Sequence, residues 1–306
     1  MHQQNNPLLC DPETGICEIP GSAATSGTTG TVSTVEKPVK LTYFTDPICS
    51  SCWGIEPQLR KLKLEYGDSI EIDYRMGGLL PDWSYNSGGI SKPSDVAHHW
   101  DEVSIYYGMP IDGDVWLEDP LPSSYPPSIA FKAAQMQDHA KAVAFLRVIR
   151  EMVFLQKKNI TPWENLGLAA QRVGLDTTQL KKDYEGNAQI LFEEDLKLAR
   201  QWGVRGFPTM FFTDATAQRQ VVYGSKPYGA YQDAILQLSP GLTPRPYSKE
   251  WSALFGTYPS LTAKEFSELS QTARPVAEKL LEELTNAGEL KKLATKNGSL
   301  WTLKER

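Results

Sequence analysis

The sequence predicts an α/β protein in which a long helical stretch separates a β-α-β unit from a β-β-α unit. Three observations support this plan. A β-rich run and an alternating run frame a leucine-containing helix near the start, helical periodicity dominates the middle, and short apolar runs return before a last helix. In order, these are strands at 39–45 and 70–75 around a helix that ends at Gly67, a helical stretch over 78–190, strands at 206–212 and 220–223, and a helix near 231–236.

This plan divides the chain into four parts. The residues between Gly21 and Gly30 are small and polar, and they predict a flexible tether because they have nothing to pack. Beyond a proline-rich linker, two amphipathic helices and an Asn297-Gly298 turn predict a small winged-helix-like module. The parts are a flexible tail at 1–37, a core domain formed by 38–77 and 191–238, an inserted helical domain at 78–190, and the carboxy-terminal module at 245–306.

Composition and charge exclude several classes of partner. The 306 residues are 41% hydrophobic and 22% charged, as in an ordinary globular protein. A net charge of -6 argues against nucleic acid, which requires a basic excess. No segment approaches the roughly 18 apolar residues of a transmembrane helix, and residues 1–10 lack the basic and apolar regions of a secretion signal. We therefore expect a cytoplasmic protein that binds neither nucleic acid nor membrane.

The four cysteines form two close pairs, Cys10/Cys17 and Cys49/Cys52. Close pairs in a reducing compartment indicate redox or metal chemistry rather than structural disulfides. A zinc site would need two further Cys or His ligands in a compatible pattern, and none is evident. The sequence therefore predicts redox chemistry with no metal and no cofactor.

Cys49-Ser50-Ser51-Cys52 stands where the first helix begins. Disulfide exchange needs an exposed thiolate that attacks and a second thiol that resolves the mixed disulfide. Unpaired N–H groups and the positive end of the helix dipole lower the pKa of a thiol at this position. We predict that Cys49 attacks and that Cys52, one turn deeper, resolves. Two buried structural cysteines are the alternative.

Pro208 opens a predicted strand, where the missing N–H makes proline unusual. A cis Phe207-Pro208 bond would turn the backbone of Phe207 outward and offer its N–H and C=O to an extended substrate strand. An ordinary trans proline at the start of a strand is the alternative. On these residues alone, both geometries stay open.

The segments 46–54 and 203–209 together resemble the DsbA family of the thioredoxin superfamily. More narrowly, they are similar to its cytoplasmic branch, which contains FrnE-like proteins and YjbH-type protease adaptors. The resemblance covers residues 38–238. It implies a thioredoxin fold interrupted by a helical domain, with Pro208 as the cis-proline. It also implies substrate-binding roles for Phe207, Pro208, Ser50, Ser51 and Trp53.

The sequence departs from DsbA between the two cysteines. DsbA has Pro-His there, and the histidine stabilises the thiolate, whereas this chain has Ser50-Ser51. We therefore expect Cys49 to be less acidic and the couple less oxidising than in DsbA. The buried acid of DsbA corresponds to Tyr43, so the proton acceptor for Cys52 stays open, with Asp46 as a candidate.

Three functions are compatible with these residues. We predict an enzyme, a thiol–disulfide oxidoreductase that exchanges dithiols at Cys49 and Cys52 with protein disulfides or low-molecular-weight thiols. The first alternative is a redox-sensing adaptor of the YjbH type, which delivers a partner protein to a protease. The second is a glutathione-dependent isomerase of the kappa-class type. Those sites use a single Ser or Cys, so the second cysteine argues against it.

Cys10 and Cys17 bracket a turn-forming segment that allows a small disulfide ring. About 20 residues of soft linker follow, with a root-mean-square reach of about 25 Å. The pair can therefore reach the active site of its own chain. We hypothesise an intramolecular redox relay or regulatory lock. Incidental cysteines in a disordered tail are the alternative.

The carboxy-terminal module has the outline of a DNA-binding domain but the wrong charge. Its second helix carries Glu278, Glu282 and Glu283 against Lys279, and this face would repel phosphate. We therefore predict that the module binds a protein partner or mediates dimerisation.

Overall fold

The computed structural model describes residues 10–11, 16–18, 37–84 and 92–304. The predicted β-α-β unit is present, and β-rich runs form its two parallel strands. The first of these two parallel strands, Val39–Thr45, is buried along almost its whole length because other elements cover both its faces. The elements of this part are β1 (Cys10–Asp11), β2 (Ile16–Glu18), β3 (Val39–Thr45), α1 (Ser50–Gly54), α2 (Glu56–Tyr66) and β4 (Ile70–Met76).

Between β4 and the next strand, the described part of the chain forms seven helices, as the apolar periodicity predicts. The last of them continues through residues 190 and 191, so the predicted boundary between the inserted domain and the core domain falls inside a helix. Among the described residues, no helix is long and apolar enough to cross a membrane. The helices are α3 (Pro93–Tyr107), α4 (Val115–Glu118), α5 (Tyr125–Gln137), α6 (His139–Leu155), α7 (Trp163–Arg172), α8 (Thr177–Tyr184) and α9 (Asn187–Gln201).

The second half of the core contributes β5 (Gly206–Phe207), β6 (Thr209–Asp214), β7 (Arg219–Tyr223) and α10 (Tyr228–Leu238). The main sheet has the order β4-β3-β6-β7. Only β3 and β4 are parallel, and β6 and β7 form an antiparallel hairpin. This is the thioredoxin arrangement interrupted by helices, so the predicted fold class is confirmed.

The strand predicted at 206–212 is divided at Pro208. Its first part, β5, leaves the main sheet and belongs to a small sheet of order β1-β2-β5. Proline lacks the N–H that a continuous ladder would need there.

The prediction of a flexible tail over 1–37 is wrong at two places. Residues 10–11 and 16–18 are antiparallel strands, and β2 pairs in turn with β5. Main-chain hydrogen bonds hold such a segment without apolar side chains, so composition could not reveal it. The small polar stretch at 21–30, on which the prediction rested, lies outside the described residues.

Two helices followed by a hairpin are present in the carboxy-terminal module, as the sequence predicts, and a further helix and a short strand that the sequence did not predict precede them. Its hairpin turns at Asn297-Gly298, and the sheet order is β8-β10-β9. A separate small core, which includes Phe266, Leu281 and Trp301, lies between the sheet and the helices. The elements are α11 (Trp251–Thr257), β8 (Ser260–Thr262), α12 (Ala263–Ser270), α13 (Arg274–Asn286), β9 (Leu290–Thr295) and β10 (Gly298–Leu303).

A buried ion-pair network fixes this module to the rest of the protein. The Glu265 carboxylate on α12 is fully buried and lies 2.6 Å from Arg147 Nη1 on α6 and 3.3 Å from Arg60 Nε on α2. Burial alone would raise the pKa of Glu265, but these two guanidinium groups lower it. The network therefore joins the core domain, the helical insertion and the module at one carboxylate.

Replacing Glu265 with glutamine should therefore destabilise the protein strongly. Glutamine keeps an oxygen that can accept from the Thr262 N–H, but it leaves two buried guanidinium groups short of a charge. We expect a loss of about 3–5 kcal/mol in the free energy of unfolding, measured by urea denaturation. The matched control is Glu283→Gln, which removes an exposed pair with Lys279 and should change stability by less than about 0.5 kcal/mol. Equal effects of the two substitutions would contradict the role of the network.

Candidate thiol–disulfide site

Cys49 lies at the entrance of α1, as predicted. Strand β3 ends at Thr45, a short turn follows, and Cys49 is the N-cap residue of the helix. Its Sγ atom accepts a hydrogen bond from the Cys52 backbone N–H at 3.2 Å. The spacing of the motif thus places both thiols on the first turn of one helix.

The two thiols differ in pKa in a direction that the sequence did not predict. Both are fully buried. Burial raises the pKa of Cys49, and the neighbouring Cys52 raises it further. Burial also acts on Cys52, but the Cys49 thiol and the Arg150 guanidinium outweigh it and lower the pKa of Cys52. Desolvation thus opposes the effect of the helix N-terminus at Cys49. The role of Cys49 as the attacking thiol stays a prediction.

Arg150 supplies the positive charge beneath the motif. It is 1% exposed and reaches from α6 under the end of β3. Its Nη2 atom donates to Thr45 Oγ1 at 2.6 Å and to the Asp46 carbonyl at 3.1 Å, while Nη1 donates to Glu56 at 2.8 Å. Sequence reasoning missed it because it lies about 100 residues from the cysteines. An arginine on the apolar stripe of an amphipathic helix, between Ile149 and Val153, was the available signal.

Asp46, the candidate proton acceptor, is held by other donors. Its carboxylate accepts from the Ile48 and Leu79 N–H groups at 3.0 and 2.8 Å and from Ser124 Oγ at 2.9 Å. Burial raises the pKa of Asp46 to about 6 despite these bonds. The negative charge of Asp46 raises the pKa of Cys49. A role as acceptor for Cys52 stays a prediction.

The Phe207-Pro208 peptide bond is cis. Phe207 is fully buried, and its ring lies against Gly77, where an added Cβ would meet the ring at 1.7 Å. Its backbone pairs with Cys17 of β2. The edge predicted to receive a substrate strand is thus occupied by a strand of the same chain.

The prediction that Trp53 contacts a substrate is wrong for this structure. Its side chain is fully buried, its ring stacks on Phe154 at 5.5 Å, and its Nε1 donates to the Pro110 carbonyl at 3.0 Å. It therefore anchors the helical insertion to α1. Ser50 and Ser51 are also buried, and Ser51 Oγ accepts from the Tyr107 hydroxyl at 2.9 Å. Substrate contact by these serines stays a prediction.

Cys10 and Cys17 lie opposite each other in the small sheet. The structure thus brings one of the two candidate regulatory cysteines, Cys17, to the edge beside the motif. Within the described ranges, no group of three or more His, Cys, Asp or Glu side chains is placed to hold a metal ion.

A Cys-x-x-Cys pair on the first turn of a helix, with an X-Pro segment beside it on this sheet, defines a thioredoxin-fold protein with a site of the thiol–disulfide exchange type. A family model described as Thioredoxin matches residues 43–233. The chain is 35% identical to the ClpXP adapter protein SpxH of Halalkalibacterium halodurans, over 98% of this chain and 99% of that protein. It is 30% identical to the protein of the same name from Bacillus subtilis, over 87% of this chain and 89% of that protein. The chain therefore belongs to the thioredoxin family, together with the SpxH proteins.

Two solved structures show the same fold at lower identity. One is a protein assigned as a disulfide isomerase from Nitrosomonas europaea, with 21% identity and a TM-score of 0.57. It covers 65% of this chain and 96% of its own. The other is the cytosolic disulfide reductase DsbM of Pseudomonas aeruginosa, with 22% identity, a TM-score of 0.54 and coverage of 65% and 100%. At these identities the likeness establishes the fold alone.

Removing the Arg150 charge should raise the pKa of Cys52. We expect Arg150→Met to raise it by about 1 or more, because an opposite charge close to a thiolate is lost. The measurement is carbon-13 NMR titration of labelled Cys52 in a background whose other three cysteines are replaced by alanine. Lys132→Met is the matched control, since it removes a buried cation that pairs instead with Asp195. An unchanged titration in Arg150→Met would contradict the electrostatic role.

The raised pKa of Asp46 should make stability fall as pH rises. The folded carboxyl keeps its proton up to pH about 6, whereas the unfolded one loses it near pH 3.8. Between these values the folded state binds more protons. Relative to Asp46→Asn, the wild-type free energy of unfolding should fall by up to about 3 kcal/mol between pH about 4 and 6, then level off. Urea denaturation across this range measures it, and a constant difference would refute it.

Proposed function

We propose that this protein is an adaptor that brings a client protein to the ClpXP protease in the cytoplasm. The observation that carries the proposal is the extent of the match to proteins named ClpXP adapter. It spans 98% of the chain and so includes the carboxy-terminal module. The disulfide isomerase and reductase structures cover only 65%. The module is the part by which a thioredoxin-fold enzyme would become an adaptor.

The closed site supports the same proposal. Cys49 and Cys52 are fully buried, and the pKa of Cys49 is raised by that burial. A thiol that is both inaccessible and protonated attacks external disulfides slowly, because the thiolate is the nucleophile. The described conformation therefore suits a protein whose work does not depend on rapid turnover at Cys49.

The way the module is attached also fits an adaptor. Glu265, which is fully buried, and its two largely buried arginines join three parts of the chain. A rigid arrangement keeps the surfaces that would bind client and protease at a fixed separation. This lowers the entropy cost of assembling a ternary complex.

Thiol–disulfide exchange is the second candidate function, favoured by one specific observation. An extended strand pairs with Phe207 beside the Cys49 helix, which is how a protein substrate would be held for exchange. In such a reaction Cys49 attacks the substrate disulfide and Cys52 resolves it. In an adaptor, the same couple would report oxidation. The presence of Cys52 beside Cys49 continues to argue against a glutathione-dependent isomerase.

Degradation assays distinguish the two functions. Proteins that accumulate when the chain is deleted from its host are purified and incubated with ClpXP, with or without the chain. We expect at least one of them to be degraded several-fold faster in its presence. The Cys49→Ala/Cys52→Ala variant should retain this stimulation if delivery is the basic activity.

Two results would argue against delivery to ClpXP as the primary function. If no accumulating protein is degraded faster, the adaptor proposal fails. If the wild type reduces insulin disulfides rapidly and the double variant loses both activities, exchange is the primary function and delivery depends on it.

A further inference from the structure

We propose that Cys10 and Cys17 form a second redox centre, which exchanges its disulfide with Cys49 and Cys52 inside one chain. In this view β2 acts as a built-in substrate strand. The proposal goes beyond client delivery and does not depend on it. It rests on backbone pairing in the small sheet and on the closure of the Cys49 site.

The register of β1 and β2 suits a disulfide between the two cysteines. Cys10 and Cys17 are direct partners in an antiparallel pair. The Cα atoms of such partners are about 4.5–5.5 Å apart. Disulfides bridge Cα separations of about 4.4–6.8 Å. The Cα separation expected from the register thus lies within the range that a disulfide bridges.

The second pairing places Cys17 at the exchange site. Cys17 is opposite Phe207 and Glu18 is opposite Gly206. β2 also approaches α1, the helix that carries the motif, with Cα atoms of the two elements within 8 Å. Pro208 ends β5, so the ladder extends over only these two residues. Of the two tail cysteines, Cys17 is therefore the one that β5 holds directly.

Occupation of this edge also accounts for the closed site. A Cys-x-x-Cys protein that acts on external disulfides needs an exposed attacking thiol, yet Cys49 is fully buried. An external peptide would have to pair with Phe207 where β2 now pairs. Binding of β2 and binding of an external strand at β5 are thus mutually exclusive.

The exchange balances without an external oxidant. The Cys49 thiolate attacks Cys17 Sγ, the Cys10–Cys17 bond breaks, and Cys10 leaves as a thiolate that takes up a proton. Cys52, as its thiolate, then attacks Cys49 Sγ and releases Cys17. Two electrons pass from the Cys49/Cys52 dithiol to the Cys10–Cys17 disulfide, and every step is reversible.

The register makes the two tail cysteines unequal, and paired variants test this. Cys10→Ser/Cys52→Ser retains Cys17 and Cys49, whereas Cys17→Ser/Cys52→Ser retains Cys10 and Cys49. Both variants share the Cys52 change, so its effect on folding cancels. Each reduced full-length chain is oxidised with diamide, and the intramolecular disulfide is followed by mass spectrometry of non-reduced digests.

We expect the Cys17–Cys49 bond to form at least about tenfold faster than the Cys10–Cys49 bond, because only Cys17 is held at β5. Equal rates would show that the tail reaches Cys49 by random encounter and would overturn the proposal. Failure of both bonds to form would overturn it as well.

A second measurement uses the wild-type chain carrying one disulfide. Exchange between the Cys10–Cys17 and Cys49–Cys52 forms should be first-order and independent of protein concentration, since it occurs within one molecule. A rate that increases with concentration would show exchange between chains and refute the internal relay. Neither experiment involves ClpXP, so its outcome is separate from that of the delivery assay.

Discussion

Two arginines of α6, Arg147 and Arg150, both pair with Glu56 and link the cysteine motif to the carboxy-terminal module. Arg150 Nη1 lies 2.8 Å from Glu56 Oε1 and Arg147 Nη1 lies 3.9 Å from Glu56 Oε2. Arg150 also donates to Thr45, just before the cysteine motif. Arg147 also pairs with Glu265 in the carboxy-terminal module. Buried ions are costly unless every one is paired. The positions of α6, the core domain and the carboxy-terminal module therefore depend on one another.

These ion pairs make the pKa of the cysteine motif depend on how the parts of the chain pack together. The charge that lowers the pKa of Cys52 comes from the inserted domain rather than from the core domain that carries the thiol. Stabilising a thiolate favours the reduced form of a dithiol. A helix that supports the carboxy-terminal module therefore also influences which redox state the motif prefers. Oxidation at Cys49 and Cys52 would in turn change the surroundings of Arg150.

The elements that follow from local pattern could be predicted from the sequence. The β-rich run at 39–45, the alternation at 70–75, the break at Gly67 and the Asn297-Gly298 turn each specify a structure through neighbouring residues. The cysteine motif at the helix entrance belongs to the same class. Arg150 and Trp53 could not be placed, since what they contact lies about 60 to 100 residues away in the chain. The tail strands were missed because backbone pairing with β5 needs no particular side chains.

The small sheet has a consequence for how the molecule behaves in a crowded solution. Were β2 absent, β5 would present unpaired N–H and C=O groups at a sheet edge, next to a thiol that can crosslink. Such an edge is a template for pairing with another chain. With β2 in place, the hydrogen-bonding groups of Gly206 and Phe207 that face it have partners within the same molecule. A tail that looks dispensable by composition thus also protects the chain from edge-to-edge self-association.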